Sequence, residues 1–446
     1  MSQHLEIENF NTITHVSFPV QKMLVLIGHQ ASGKSTISKA IYFFKSLRDD
    51  LILYLQKSYE QDIGNLSISN FAKQAKRKFI QIYGSVTQFE QMRIFYDYGN
   101  SLTVTILPTD DKQYTDLIFS ENLCDEMKSL LNETRAFYDE INSRSLTFSA
   151  SREFTEKRSR ENNFFKDLNR KIERIFGDDR DLFFIPAGRS VITALSQQRY
   201  NIDLGSKQFD DLDANNLKLD FLMKGFIERI DDIKPLFNQN VPRLIQAEIQ
   251  EEHEQQQERL ELTQQLIANI LRGDYHYRDG TETLEFSSGK HSLINFASSG
   301  QQEVLWILLF ILLIILNKRK VFLVIEEPEA HLFPVAQKQL VDLIALLANQ
   351  SDNQIIVTTH SPYILAAYNN LLYAHNLGEH KREEIANIVN PLLWLDSNQI
   401  GSYILENGQS RSLIDQETHL IHSAEIDRAS EIIVDIFNQL FEHDDE

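Results

Sequence analysis

Apolar and polar positions follow several distinct patterns along this chain. Leu5, Ile7 and Phe10 alternate with polar residues, as a half-buried strand does, and residues 16–20 form its expected hairpin partner. Met23, Leu24, Val25, Leu26 and Ile27 are an unbroken apolar run, the pattern of a strand covered on both faces. Helix-forming residues follow from Lys34 to about Leu47, and residues 50–90 are mixed and polar. Residues 92–98 and 101–107 flank the turn pair Gly99 and Asn100, which predicts an antiparallel hairpin. From about 111 to 178 the chain is charged and reads as helical, until residues 181–185 give a short core strand ending at Pro186. Residues 205–270 are polar and helical again, and the Glu- and Gln-rich stretch 248–262 reads as a solvated or coiled-coil-like helix. A second hairpin is expected around Asp279 and Gly280. An apolar helix (302–316), an apolar strand (321–325), a helix (334–349) and a strand (354–358) follow it.

Strand–helix alternation of this kind predicts an α/β fold in which a parallel core sheet is joined by an antiparallel subdomain. The core is split. The expected divisions are a head from 1–110, 180–200 and 275–380, a helical insert from 111–179 and 201–274, and an acidic C-terminal region from 381–446.

Composition narrows the partners. The 446 residues carry 44 Lys and Arg against 64 Asp and Glu, a net charge of −20, which disfavours sequence-independent binding of DNA or anionic lipid by the whole molecule. Two basic stripes remain, Lys73, Lys76, Arg77 and Lys78, and Lys157, Arg158 and Arg160; such runs are ordinarily solvated helix faces. Cys124 is the one cysteine, so an internal disulfide or a Cys-rich zinc site is excluded, as suits a reducing, cytoplasmic setting. The N-terminal residues lack the basic and apolar blocks of a signal peptide. The longest apolar run, 304–316, is shorter than the ~20 residues that span a bilayer, so a buried helix and no membrane partner are expected.

Four short motifs carry candidate chemistry. Gly28, His29, Gln30, Ala31, Ser32, Gly33, Lys34 and Ser35, with Thr36 behind them, fit a P-loop placed directly after an apolar strand and opening a helix. Its backbone amides would wrap phosphates, Lys34 would reach the β- and γ-phosphates, and Ser35 would ligate Mg²⁺. The apolar strand 321–325 ends in Glu326, for the Mg²⁺ shell, and Glu327, to orient or activate the attacking water. His360 follows the next strand, where a ring nitrogen can sense a γ-phosphate. Ser298, Ser299, Gly300 and Gln301 precede an apolar helix and form a second potential phosphate cradle, although Ser and Gly there are also an ordinary N-cap.

Taken in chain order, with the P-loop first, then 298–301, then the Glu326 and Glu327 motif and last His360, the motifs resemble the ABC-type ATPase superfamily, in the branch shared with SMC, the DNA double-strand-break repair ATPases and RecF. Glu326, Glu327, Pro328, Glu329, Ala330 and His331, then Thr359, His360, Ser361 and Pro362, then Ile185, Pro186, Ala187, Gly188, Arg189 and Ser190, look most like the bacterial overcoming-lysogenization-defect group. That group supplies ATPase subunits to phage-defence systems such as Septu, PARIS and certain retrons. The resemblance implies an ABC-type P-loop ATPase head using ATP and Mg²⁺, with 298–301 as signature loop against a partner subunit's γ-phosphate, 329–332 as D-loop and His360 as switch histidine. Two departures stand out. No Q-loop glutamine follows the strand 181–185, where Arg189 stands to read phosphate, stabilise a dimer or pair on the surface. Ser299 also occupies a position where transporters have Gly.

Two readings follow. The first is a homodimeric, or further assembled, ATPase switch that sandwiches ATP between subunits and regulates a separate nuclease or toxin. The second is a RecF- or SMC-like DNA-repair clamp. A transporter subunit fits poorly with the long insert. A nuclease in its own right fits poorly too: no Toprim-like two-metal cluster, HNH or zinc pattern follows His360, and Asp211 and Asp213 read as a solvated helix cap. The acidic balance suggests a face, including Asp444, Asp445 and Glu446, that docks a basic effector.

Overall fold

The computed structural model describes residues 3–86, 88–109, 115–143, 150–193, 219–249, 252–422 and 433–441. In chain order β1 (His4–Phe10) and β2 (Ile13–Pro19) form a hairpin, followed by β3 (Met23–Gly28), α1 (Lys34–Gln61) and α2 (Ile68–Tyr83). Then come β4 (Arg93–Asp97), β5 (Thr103–Pro108), β6 (Thr115–Phe119), α3 (Glu121–Ser143), α4 (Ala150–Phe176) and β7 (Asp181–Ile185). Next are α5 (Phe221–Ile233), α6 (Val241–Ile249), α7 (Glu254–Leu271), β8 (Asp274–Arg278), β9 (Thr281–Glu285) and β10 (His291–Leu293). The last elements are α8 (Ser299–Leu316), β11 (Val321–Glu326), α9 (Pro334–Ala348), β12 (Gln354–Thr359), α10 (Pro362–Ala386), β13 (Ile400–Glu406) and β14 (Gln409–Ser412).

The chain divides into two compact units. The first comprises Met1–Val20, Ala31–Leu182 and Glu406–Ser410. Its antiparallel sheet runs β6-β5-β4-β1-β2, and Leu5, Ile7, Val16 and Phe18 are buried in the alternation that the sequence predicts. Helix α1 runs past Leu47 because Leu51, Tyr54 and Leu55 extend its buried stripe. In the mixed polar region, Phe71, Ala75, Phe79 and Ile82 recur at helical spacing, and the Ser67 side chain accepts a hydrogen bond from the Asn70 amide; α2 forms there. Residues 115–119, expected to be helical, instead pair with β5 as the edge strand β6. Asp178 accepts from Lys45 inside this unit, where both side chains are buried.

The second unit comprises Gln21–Gln30, Phe183–Leu405 and Arg411–Glu446. Its main sheet is ordered β13-β3-β12-β11-β7, and β13, β3, β12 and β11 are mutually parallel. All of β11 and β12 is buried, which is why 321–325 and 355–357 read as apolar runs without alternation. Helix α8 is long and apolar enough to cross a membrane by composition, yet 67% of it is buried inside the protein. Trp306, Leu308, Leu309 and Ile311 on it are core residues. Removal of such side chains from water stabilises by roughly 1.5–3 kcal/mol each. The hairpin at Asp279 and Gly280 forms as expected, with φ of 49° and 78°, and β10 adds an unforeseen third strand to it.

The C-terminal part holds the largest departure. The region 381–446, expected as an acidic C-terminal part separate from the head, instead supplies a core strand: β13 inserts beside β3 and turns back through Asn407 and Gly408, at φ 52° and 76°. Asp211, Asp213, Asp444, Asp445 and Glu446 lie outside the described residues.

Candidate functional site

Parallel register aligns the strand ends of the second unit. Glu326 of β11 stands opposite Thr358 of β12, and Thr359 opposite Ile27 of β3. Gly28, Glu327 and His360, each just at or beyond its strand, therefore share the C-terminal edge, where ligands bind in open α/β sheets.

Glu326 is 4% exposed, and its Oε2 lies 3.5 Å from the Ala187 amide. Glu327 adopts φ 44°, and its amide donates to the Thr358 carbonyl at 2.9 Å. Its Oε1 lies 3.0 Å from Nε2 of His360, and both side chains are about one-third exposed. Glu329 fixes the histidine from behind, because its Oε1 accepts from Thr359 Oγ1 and from the His360 amide, both at 2.7 Å. Thr359 Oγ1 in turn accepts the Ser361 amide at 3.0 Å. The other oxygen of Glu329, Oε2, is buried without a hydrogen-bond partner.

Arg189 is not a surface residue; it is 0% exposed. Nε donates to the Glu303 carbonyl (2.8 Å), Nη1 to Pro186 and Glu326 (2.7 Å each), and Nη2 to Glu327 (2.9 Å). Glu303 returns the contact: its carboxylate accepts the Arg189 amide at 3.0 Å and the Ser190 amide at 2.9 Å. Burial lowers the pKa of this guanidinium, whereas Glu303, Glu329, Glu326 and Glu327 push it up. An arginine stays charged under that balance.

The signature-like loop is built as a helix cap. Ser298 Oγ accepts the Gln301 amide, while Gln301 Oε1 accepts the Ser298 amide at 3.1 Å, a complete capping box. Gln301 Nε2 points back to the Leu271 carbonyl at 2.8 Å. Ser298 and Ser299 are exposed. A Cβ on Gly300 would stand 2.7 Å from the His331 carbonyl oxygen, so the loop needs glycine for close approach. A cleft of about 1160 Å³ opens here, lined by Leu271, Ser298, Gln301, His331, Phe333 and Val335 among others.

Gly28, His29 and Gln30 belong to the second unit, and Ala31 onward to the first. His29, Gln30, Ala31 and Ser35 are exposed, Ser32 and Thr36 half-buried. Gly33 caps α1 at φ 102°, and a Cβ there would meet Ile13 Cγ1 at 2.7 Å. Lys34 is 5% exposed, with Nζ 3.4 Å from Ser32 Oγ. Thr36 is pinned by Asn11 at its hydroxyl and by Tyr83 at its carbonyl.

A family model for the AAA ATPase domain matches residues 1–365. This chain belongs to the AAA ATPase domain family. No curated protein matches it. Three solved structures are similar over nearly their whole length. One is an SMC head bound to the C-winged helix domain of ScpA (12% identity, TM-score 0.43, 94% of this chain and 98% of that one). The second is the SMC head domain from Thermotoga maritima (10%, 0.36, 92% and 97%). The third is an Smc head with an extended coiled coil bound to the C-terminal domain of ScpA, derived from Pyrococcus furiosus (14%, 0.37, 98% and 99%).

For an AAA ATPase domain the donor set fits nucleotide. The left-handed Gly33 opens a helix whose first residue is a buried lysine, which suits a polyphosphate. Within the second unit, the buried carboxylate of Glu326 and Oε2 of Glu329, which has no hydrogen-bond partner, are hard oxygen donors of the kind Mg²⁺ takes. Arg189, Glu303 and Thr359 are the residues that motif spacing did not single out for these contacts. The Pro186–Arg189 turn after a core strand was the one available signal.

Proposed function

We propose that this AAA ATPase domain hydrolyses ATP as a homodimer and uses the cycle to switch a separate effector protein. The observation that carries the reading is the Glu327–His360 pair, 3.0 Å apart at the C-terminal edge of the parallel sheet and one residue from the buried Glu326. Bound through Ser35 and Glu326, Mg²⁺ would neutralise phosphate charge. Gly28 to Thr36 hold the phosphates, with Lys34 as the fixed cation. Glu327 orients a water and takes up its proton, and His360 holds the Glu327 carboxylate in place. His360 is itself oriented by the bond from its amide to Glu329. Ser298 and Ser299 are exposed on the capped start of α8, open to a second copy, where Gly300 and Gln301 complete the cradle.

Lys34→Ala should abolish ATP binding and Glu327→Gln should stop hydrolysis while keeping binding; chelating Mg²⁺ with EDTA should silence the wild type. Wild-type turnover in either variant would refute the assignment. The effector is read as a nuclease or toxin of a phage-defence system, supported by the motif resemblance at Glu326–His331, Thr359–Pro362 and Ile185–Ser190.

The DNA-clamp reading draws less support from the basic stripes. Lys78 is paired with Asp50, Lys76 with Asp116, Lys157 with Glu161 and Arg160 with Glu140. Duplex DNA binding that weakens steeply with salt would reverse this order.

A further inference from the structure

We propose that Arg189 is a positioning residue that ties the first turns of α8 to the main chain of Glu327, so that the Glu327 carboxylate follows the position of that helix. The inference rests on the ATPase reading and deepens it.

Glu327 sits at φ 44°, a conformation that a residue with a Cβ adopts only when its surroundings over-determine it. Its amide is held by the Thr358 carbonyl, and its own carbonyl is held by Nη2 of Arg189. The same guanidinium holds the Glu326 carbonyl, so the peptide groups on both sides of the bend end on one planar fork. The other end of the connection is α8. Glu303 gives its carbonyl to Arg189 Nε and its carboxylate to the amides of Arg189 and Ser190. Glu303 is three residues beyond Gly300, on the helix whose capped start is the signature-like loop. No rotatable side chain other than Arg189 and Glu303 lies in this connection, and both are buried. A shift of α8 therefore reaches the Glu326 and Glu327 carbonyls directly. Without the fork, the Glu327 carbonyl keeps only the Ala330 amide, at 3.2 Å, and relaxation toward negative φ swings the carboxylate away from His360.

The test uses the full chain and two variants. Arg189→Lys keeps a charge opposite Glu303 but cannot span both sets of carbonyls. Arg189→Met with Glu303→Leu removes the buried pair together, a change that proteins often tolerate. Each is measured for thermal unfolding, affinity for a fluorescent ATP analogue, steady-state kcat and KM, and nucleotide-free hydrogen exchange across 321–332. In folded variants we expect analogue affinity and KM within about threefold of wild type and kcat at least tenfold lower. Exchange should rise at least tenfold at 326–331 and stay unchanged in β3. A folded variant with wild-type kcat, or with unchanged exchange at 326–331, overturns the proposal. So does failure of both variants to fold, which would make the residue purely structural. If the wild type itself does not hydrolyse ATP, the ATPase reading fails, and the exchange measurement still decides whether Arg189 holds Glu327.

Discussion

Replacing Thr359 with valine removes one hydroxyl and almost no volume, so its effect isolates a hydrogen-bond chain. Thr359 is fully buried, and its Oγ1 both donates to Glu329 at 2.7 Å and accepts the Ser361 amide at 3.0 Å. A bond to a charged group contributes about 1.5–3 kcal/mol, and a buried amide left unpaired costs about 1–3 kcal/mol. The two share one atom and do not add fully, so a loss of roughly 2–4 kcal/mol is expected. For a unit of this size each kcal/mol moves the transition by about 2–4 °C, which places the valine variant roughly 5–15 °C below wild type in calorimetry. Thr359→Ser keeps the hydroxyl and loses a methyl, for about 1 kcal/mol. Because Glu329 would then be held by the His360 amide alone, kcat should fall in the valine variant and not in the serine one. A valine variant that melts within a degree of the serine variant, at equal kcat, would refute the chain.

Other expectations follow from the same geometry. Gly300→Ala sets a Cβ 2.7 Å from the His331 carbonyl; the clash costs about 1–3 kcal/mol and exceeds the roughly 0.5–1 kcal/mol that alanine gains in a helix. A calorimetric transition at or above the wild-type temperature would contradict that contact. Burial alone would raise the pKa of Asp178, but Lys45 and Arg180 outweigh it and hold the carboxyl below its ordinary value. Its stabilising contribution is therefore present above the ordinary carboxylate pKa and lost as pH falls through the lower, folded-state value. Burial also brings Lys45 down to about 8. The melting difference between wild type and Asp178→Asn should accordingly be present near about pH 5 and close on further acidification. A difference that persists at the acid end would show that the charge is not what matters.

Much of the second unit is legible because doubly covered strands announce themselves: Met23–Ile27, Val321–Ile325 and Ile355–Val357 are runs with no polar interruption. The P-loop and Glu327 are legible for a related reason, since each immediately follows such a run. What stays hidden is set by partners far away in sequence. Arg189 leaves phosphate reading, dimer contact and surface pairing all open until four carbonyls and the Glu303 carboxylate close around it. Residues 115–119 have helical neighbours, and only pairing with β5 makes them a strand. The Asn407 and Gly408 turn is a hairpin signal in plain view, passed over when residues 381–446 are read as a single acidic region.

The neighbours of β3 have a further meaning for how the protein is made. The strand that leads into the P-loop finds its partners in β12 and β13, so Met23 waits for Ile355 and Ile400. At roughly 5–20 residues per second, the ribosome takes on the order of 20–60 s to supply β12 after β3 has emerged. During that interval an apolar strand has no sheet to join, and the edge carrying Gly28, Glu327 and His360 does not exist. Nascent chains are thus exposed to aggregation and to chaperone capture for most of their synthesis, and a chain that stops before β12 lacks both that strand and the His360 that follows it.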